Sequence, residues 1–212
     1  MRYHKIPDET VRRLVICLRG LLSLSERGYK NISSHNLANS LGLNPWQIRK
    51  DFSYFGSFGT PGRGYNIEKL VKQIRKVLKL NAVHKAALVG VGNLGSAVLT
   101  YSGFGILGFK IFAAFDNDPK IIGRRVGNIK IEDVSNLQTL QQRKIEIGII
   151  TVPCEAAQET FNKLIAAGIK GILSFSPCYK TDRKKVKVIT IDIAMDLARL
   201  PYYITTRQIT NV

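Results

Sequence analysis

The sequence predicts an α/β protein in two parts, a basic helical domain followed by a domain built on a parallel β-sheet. Apolar residues recur at helical spacing through about the first third of the 212 residues. From Ala86 onward the pattern changes to near-continuous apolar strands separated by helices. Charge divides in the same way: residues 1–85 carry 16 Lys and Arg against 5 acids, within a net charge of +17 for the chain.

Two helices are predicted at the start of the N-terminal part. Apolar positions at helical spacing predict the first over residues 8–26, with Gly28 at its end. Ser34 is the predicted N-cap of the second helix. Gly42 is predicted to end that helix in a tight turn, because glycine adopts the left-handed backbone conformation without strain.

A third helix is predicted across this turn, from Trp46 to Tyr54, with Asn44 as its N-cap and Pro45 in its first position. Two helices joined by a short glycine-containing turn form a helix-turn-helix, although an ordinary pair of surface helices is the alternative interpretation. The exposed face and its flanks carry amide, hydroxyl and cationic groups that can reach base edges and phosphates. The residues predicted to contact DNA are Gln47, Arg49, Lys50, Ser53 and Tyr54, and Asp51 is expected on the same exposed face.

Four glycines in residues 56–64 predict a tight hairpin or wing directly after the candidate recognition helix. Arg63 within it is predicted to approach a phosphate or a narrow minor groove. An amphipathic helix then begins at Ile67, with lysines and arginines on its outer face. A basic domain of this kind is typical of a polyanion-binding surface, and a charge that serves only solubility is the alternative.

The second part opens with a glycine motif. Ala86–Val89 is a predicted strand, and G-x-G-x-x-G follows from Gly90 to Gly95 at the start of a helix. An acid, Asp116, lies at the end of the next predicted strand, 21 residues after the last glycine. This combination is the signature of the Rossmann dinucleotide-binding fold. A carboxylate at this place accepts ribose hydroxyls and repels a 2′-phosphate, so we expect NAD(H) to be preferred over NADP(H).

The remaining pattern continues the parallel sheet. Further strands are predicted over 145–152, 171–175 and 186–191, with a helix over 155–167. A closing helix over 193–200 is predicted to end or kink near a proline. We expect one segment to line the dinucleotide crevice from the end of the strand at 145–152: Thr151, Val152 and Pro153.

Several classes of function are disfavoured by residues that the chain lacks. All three histidines precede the glycine motif, so none is a natural partner for hydride transfer. The only Tyr-x-x-x-Lys pair, Tyr65 and Lys69, precedes it as well. The three cysteines show no C-x-x-C spacing, which argues against structural zinc and suits a reducing cytosol. With no apolar run of membrane-spanning length and no catalytic residues, a bound dinucleotide is best interpreted as a signal in a cytoplasmic protein.

Taken together, these motifs resemble the Rex family of redox-sensing transcriptional repressors. The resemblance rests on Gln47–Gly56, Gly62–Tyr65, Gly90–Gly95, Ala114–Asp116 and Thr151–Pro153. It implies a homodimeric winged helix-turn-helix repressor with a Rossmann domain, in which NADH binding releases palindromic double-stranded operator DNA. It also implies a domain-swapped C-terminal helix. With the domain boundary that the change of pattern places between Asn81 and Lys85, the predicted division is 1–83, 84–191 and 192–212.

The resemblance assigns roles to further residues. Tyr101 and Phe104 match positions near the nicotinamide, and Asp192 of the swapped helix matches an acid that pairs with Arg19 of the first helix. Loss of that pair, with Tyr101 sensing the nicotinamide charge, is expected to change the angle between the DNA-binding domains. The full set expected to contact the cofactor is Gly90, Val91, Gly92, Asn93, Leu94, Gly95, Tyr101, Phe104, Asp116, Thr151, Val152 and Pro153.

Three other functions remain open from the sequence. The first is an NAD-dependent oxidoreductase whose basic N-terminal domain only aids dimerisation. The absence of a histidine downstream of the glycine motif argues against it. A CoA- or nucleotide-binding scaffold is disfavoured by Asp116, because the ribose of CoA carries a phosphate. A protein that binds DNA by charge alone would show no preference for a palindrome.

Overall fold

The computed structural model describes residues 6–56, 58, 64–177 and 186–209. Its contacts divide the chain into two compact units, Met1–Ala82 and Val83–Val212. Within the described ranges, no helix has the length and apolar character needed to cross a bilayer.

In the described part of the N-terminal unit, the chain forms four helices and a two-stranded ribbon. The core lies between the helices and is filled by fully buried side chains such as Leu18, Leu37, Ile48 and Ile74. The ribbon is antiparallel, with Ile32 opposite Tyr65. The elements are α1 (Asp8–Glu26), β1 (Asn31–Ile32), α2 (Ser34–Leu41), α3 (Pro45–Ser53), β2 (Tyr65–Asn66) and α4 (Ile67–Val77).

The ends of α2 and α3 are set by a glycine turn and by side-chain caps close in sequence. The predicted turn is confirmed, since Gly42 ends α2 at φ +63°, and Asn44 caps α3 by accepting a hydrogen bond from the Trp46 N–H at 2.8 Å. The predicted N-cap of α2 was wrong by one residue. Ser33 has the extended backbone of a cap and accepts from the Asn36 N–H at 3.0 Å, whereas Ser34 is already helical.

The second unit is a seven-stranded sheet in the order β5-β6-β4-β3-β7-β8-β9. Every pairing is parallel except that of β5 with β6. Its elements are β3 (His84–Val89), α5 (Asn93–Leu99), α6 (Gly103–Ile106), β4 (Phe109–Asp116), β5 (Arg125–Val126), β6 (Ile129–Asp133), a 3-10 helix (Val134–Leu140), β7 (Ile147–Ile150), α7 (Cys154–Ala166), β8 (Gly171–Ser174), β9 (Lys187–Thr190), α8 (Ile193–Ala198) and α9 (Leu200–Ile209).

Both faces of this sheet are buried in the middle, as the apolar strands predict. Successive β3 residues point to opposite faces, so Ala87 belongs to a core with Phe161 of α7, and Leu88 to a core with Val98 of α5. The arrangement places the carboxyl ends of β3, β4 and β7 side by side, where parallel sheets bind ligands.

The predicted elements differ from the structure in several places. The strand predicted over 145–152 is longer than the one observed, since β7 spans only Ile147–Ile150. The short strands β1, β2, β5 and β6, the short helix α6 and the 3-10 helix were not predicted. The predicted end of the closing helix near Pro201 is confirmed, since α8 ends at Ala198 and the chain resumes as α9 at Leu200. Pro201 lies in the first turn of α9, where its missing N–H costs no helical hydrogen bond.

Candidate functional site

The glycine loop between β3 and α5 has the shape that the motif predicts. Gly90 has φ +96°, and a Cβ there would lie 2.8 Å from the Val152 nitrogen. A Cβ on Gly95 would lie 2.0 Å from the Gly90 carbonyl oxygen, so helix and loop are in backbone contact. A Cβ on Gly92 would meet nothing within 4 Å. The first and third glycines are therefore required by the fold, and the second borders open space.

Asp116 holds this loop from the end of β4. One carboxylate oxygen accepts a hydrogen bond from the Val91 N–H at 2.6 Å. The other accepts from the N–H groups of Asn117 and Asp118 at 2.8 and 2.9 Å. The side chain is nearly buried. The predicted ribose acid thus lies at the expected edge of the loop and also fixes its backbone.

Thr151 ties the end of β7 to the same loop. Its hydroxyl donates to the Gly90 carbonyl oxygen at 2.7 Å, and the Thr151 N–H donates to the Val89 carbonyl oxygen at 2.9 Å. Next to it, the Ser176 hydroxyl donates to the Val152 carbonyl oxygen at 2.5 Å. These bonds bring the segment that begins at Thr151 against the glycine loop, as predicted.

A cavity of about 660 Å³ opens between these segments. The predicted residues that line it are Gly90, Gly92, Asn93, Leu94, Asp116, Thr151, Val152 and Pro153. One wall of the cavity was not predicted from the sequence. Helix α7 provides it through Ala156, Glu159, Thr160 and Lys163. Glu159 and Lys163 pair at 2.7 Å, and the hydrogen bond from Lys163 lowers the pKa of the Glu159 carboxyl. The available signal was the helical spacing after Pro153, because Ala156, Glu159, Thr160 and Lys163 recur every three or four residues on one face of α7.

Two residues assigned to the cofactor line a different cavity. Tyr101 and Phe104 are in edge-to-face contact, with ring centroids 5.1 Å apart, beside a hollow of about 550 Å³ near β4 and β5. The structure does not bring them to the cavity of the glycine loop, so their role near the nicotinamide stays a prediction.

In the N-terminal unit, α3 presents most of the predicted polar face. Arg49, Lys50, Ser53 and Tyr54 are exposed, while Ile48 and Phe52 are buried. Arg49 donates to the Ser34 hydroxyl at 3.1 Å, which links α3 to the start of α2. These exposed side chains therefore lie on a helix that is tied to its neighbour α2.

The placement of Asp51 on that face was wrong. Its side chain is only 2% exposed and receives two hydrogen bonds from the Arg13 guanidinium, at 2.6 and 2.9 Å. The Thr10 hydroxyl and the Gln47 amide each donate to it at 3.0 Å. Burial raises the pKa of the Asp51 carboxyl, but these hydrogen bonds outweigh it and leave the pKa below its usual range. Gln47 is accordingly half-buried, with its amide nitrogen bound to the Asp51 carboxylate of the same helix.

The base of the predicted wing is the β1–β2 ribbon. Phe52 of α3 packs against Phe58 and Tyr65, with ring centroids 4.9 and 5.5 Å apart, and so joins the candidate recognition helix to the two described residues that flank 59–63 most closely in this cluster. Arg63 lies outside the described residues.

The two proposed coupling residues lie in different units. Arg19 is exposed on α1. Asp192 caps α8 by accepting from the Met195 N–H at 3.0 Å. Beyond it, α8 and α9 expose large apolar side chains, namely Ile193, Met195, Leu197, Leu200, Tyr202, Tyr203 and Ile204. Among the described residues, no cluster of His, Cys, Asp and Glu could hold a metal ion.

A helix-turn-helix unit and a Rossmann-type unit with an open glycine loop define a DNA-binding protein that carries a dinucleotide-binding domain. Comparison with known proteins agrees. The family model "Putative DNA-binding protein N-terminus" matches residues 5–53, and "CoA binding domain" matches residues 81–178.

Similar full-length proteins identify the family. The redox-sensing transcriptional repressor Rex of Desulfitobacterium hafniense is 41% identical over 98% of this chain and all of its own. Rex of Streptomyces coelicolor is 40% identical over 95% of this chain and 79% of its own. The chain therefore belongs to the Rex family.

Solved structures agree with this assignment. The Rex-family repressor RSP in complex with NAD⁺ and operator DNA matches with a TM-score of 0.89 and 31% identity, over 97% of this chain and 95% of that one. RSP in complex with NADH matches with a TM-score of 0.87 and 29% identity, over 98% of each chain.

Proposed function

We propose that this chain is a transcriptional repressor that senses the balance of NADH and NAD⁺. It binds palindromic operator DNA through its helix-turn-helix domain and leaves the DNA when NADH binds. One observation carries the proposal: the chain matches, over nearly its full length, repressors named redox-sensing and structures of one with operator DNA and with NADH. The same relatives make it a regulator rather than an enzyme, so the oxidoreductase alternative is set aside.

The surface of α3 supports the DNA-binding half. Arg49 and Lys50 supply cations for phosphates or guanine edges, and the exposed hydroxyls of Ser53 and Tyr54 supply further donors. Because the packing of Phe52 and the buried Asp51 fix the other side of the helix, these donors are held on a rigid support. Arg63, which lies outside the described residues, is included in the proposal as a further contact to a phosphate or to a narrow minor groove.

The second unit fits NAD(H). The open space beside Gly92 admits a pyrophosphate close to the backbone, and the N–H groups at the start of α5 are available to bind it. Asp116 takes the adenosine ribose and disfavours a 2′-phosphate. The cavity wall from α7 borders the same space and shapes it around the ligand.

Coupling between the units runs through a homodimer in this proposal. The exposed apolar side chains of α8 and α9 provide a surface that a second copy of the chain buries. The Arg19–Asp192 pair then joins α1 of one copy to the swapped helix of its partner. NADH binding breaks the pair and changes the angle between the DNA-binding domains. The protein acts in the cytoplasm, where bacterial DNA and the nicotinamide pool are found.

The test is fluorescence anisotropy of a labelled palindromic operator, taken upstream of the protein's own gene or of a fermentation gene. The full-length protein is held at fixed salt and titrated with NADH, NAD⁺ and NADPH. We expect NADH alone to release the DNA at low concentration. DNA that binds but responds to no nucleotide would overturn the sensing half of the proposal.

Two variants test the coupling. Arg19→Ala and Asp192→Ala should each retain NADH binding, measured by calorimetry, while NADH no longer releases the operator. The Gly92→Ala variant serves as the contrast, because it should lose release through loss of NADH binding itself. Normal release in both coupling variants would exclude the Arg19–Asp192 pair from the mechanism.

A further inference from the structure

The single tryptophan of the chain, Trp46, lies at the start of α3 with 57% of its surface exposed. It is the second residue of the helix, and its backbone N–H donates to the Asn44 side chain at 2.8 Å. The cap therefore fixes the first turn and the position from which the ring projects. The other large ring on this helix, that of Phe52, is buried in the core.

The ammonium of Lys50 lies over the face of this indole ring. Lys50 lies one turn further along α3, and its ammonium is 5.0 Å from the centroid of the indole. An ammonium over an aromatic face is attracted by the electrons of the ring, so each side chain limits the motion of the other. The result is a cation and an apolar ring held side by side at the N-terminal end of the candidate recognition helix.

We propose that Trp46 reads one thymine in each operator half-site. The inference rests on the proposed function, since it takes α3 as the helix that enters the major groove. N-terminal residues of such helices contact base edges. In the major groove thymine presents a methyl group and the O4 acceptor. The indole presents apolar surface and one N–H donor. Thymine is the base whose edge offers both complements.

The experiment removes single methyl groups from the DNA. A binding sequence is first selected from a random duplex pool with the full-length protein, and each thymine in it is then replaced by deoxyuridine. At one thymine per half-site we expect affinity to fall about fourfold, the worth of one buried methyl group. Trp46→Ala should bind the thymine duplex more weakly and show no further loss with deoxyuridine there.

Two further variants and one signal sharpen the test. Trp46→Phe keeps an apolar ring and should retain the methyl dependence. Val11→Ala removes exposed apolar surface from α1 of the same unit and should behave like the wild type. Fluorescence of Trp46 should change on binding of the selected duplex, because it is the only indole in the chain.

The outcomes separate this inference from the proposed function. A protein that selects a palindrome and releases it with NADH, but shows equal deoxyuridine losses in wild type and Trp46→Ala, overturns the role of Trp46 alone. A wild-type chain that enriches no sequence overturns both.

Discussion

Removing the buried carboxylate of Asp51 should destabilise the N-terminal domain by about 3 kcal/mol. The carboxylate joins α3 to α1 through two hydrogen bonds from Arg13 and one from Thr10, and it accepts another from Gln47 of α3 itself. Breaking a buried ion pair by deleting one partner costs about 3–5 kcal/mol, since the other charge is left desolvated and unpaired. Arg13 keeps 21% of its side-chain exposure, so water can partly solvate it in Asp51→Ala, and the lower end of that range applies.

Urea unfolding of the full-length protein measures this effect. Fluorescence of Trp46 reports on the N-terminal domain, and circular dichroism reports on the whole chain. Arg12→Ala is the matched control. Arg12 is the neighbour of Arg13 on α1 and forms an exposed ion pair with Glu9 at 3.6 Å, with 74% of the Arg12 side chain exposed. Such surface pairs contribute little. A double variant, Asp51→Leu with Arg13→Met, should lose much less than the sum of the single changes.

Acid should remove the same contribution. The folded-state pKa of Asp51 is lowered, so its stabilisation is fully present above the unfolded pKa of about 3.9 and is lost as pH falls through the folded pKa. We therefore expect the wild-type domain to lose stability below about pH 4, and Asp51→Asn to lack that part of the loss. An Asp51→Ala variant that loses less than about 1 kcal/mol, or an unchanged acid profile in Asp51→Asn, would refute the reasoning.

Three further outcomes follow from the same contacts. Gly95→Ala should destabilise the second unit by about 3 kcal/mol in thermal unfolding, because its Cβ would meet the loop backbone. Gly92→Ala should unfold like the wild type but bind NADH about tenfold more weakly, or worse, in calorimetry. Arg49→Ala should lower the dependence of operator affinity on log salt by about 1, and an unchanged slope would remove Arg49 from the phosphate contacts. Burial raises the pKa of the Cys17 thiol to about 12, so Cys17 should resist alkylation at pH 8 in the folded protein and react after unfolding, while the exposed Cys154 reacts in both states. Rapid alkylation of native Cys17 would contradict its burial.

Features that depend on near neighbours could be predicted from the sequence. Gly42 ends α2 and Asn44 caps α3 because each acts on backbone groups within a few residues. The loop from Gly90 to Gly95 follows from strand, turn and helix in immediate succession. Such elements are specified locally, and distant parts of the chain change them little.

Features that depend on distant partners could not be predicted from the sequence. Asp51 lies next to Phe52 on α3, and a charged side chain there is assigned to solvent unless a partner is known. The partner is Arg13, which is 38 residues away in sequence and reaches it only after α1 packs on α3. Similarly, β6 mixes charged and apolar residues over Ile129–Asp133, and its pairing with β4 makes it a strand.

In the proposed function, Asp116 joins loop geometry and cofactor choice in one side chain. Its carboxylate fixes the glycine loop by accepting from the Val91 N–H. Each carboxylate oxygen has two lone pairs, so the oxygen bound to Val91 can still accept from a ribose hydroxyl. In this proposal, the charge that disfavours a 2′-phosphate also holds the backbone that would receive the pyrophosphate. A substitution that removes the charge to admit NADPH also frees the Val91 N–H, so preference and affinity change together unless another acceptor replaces the carboxylate.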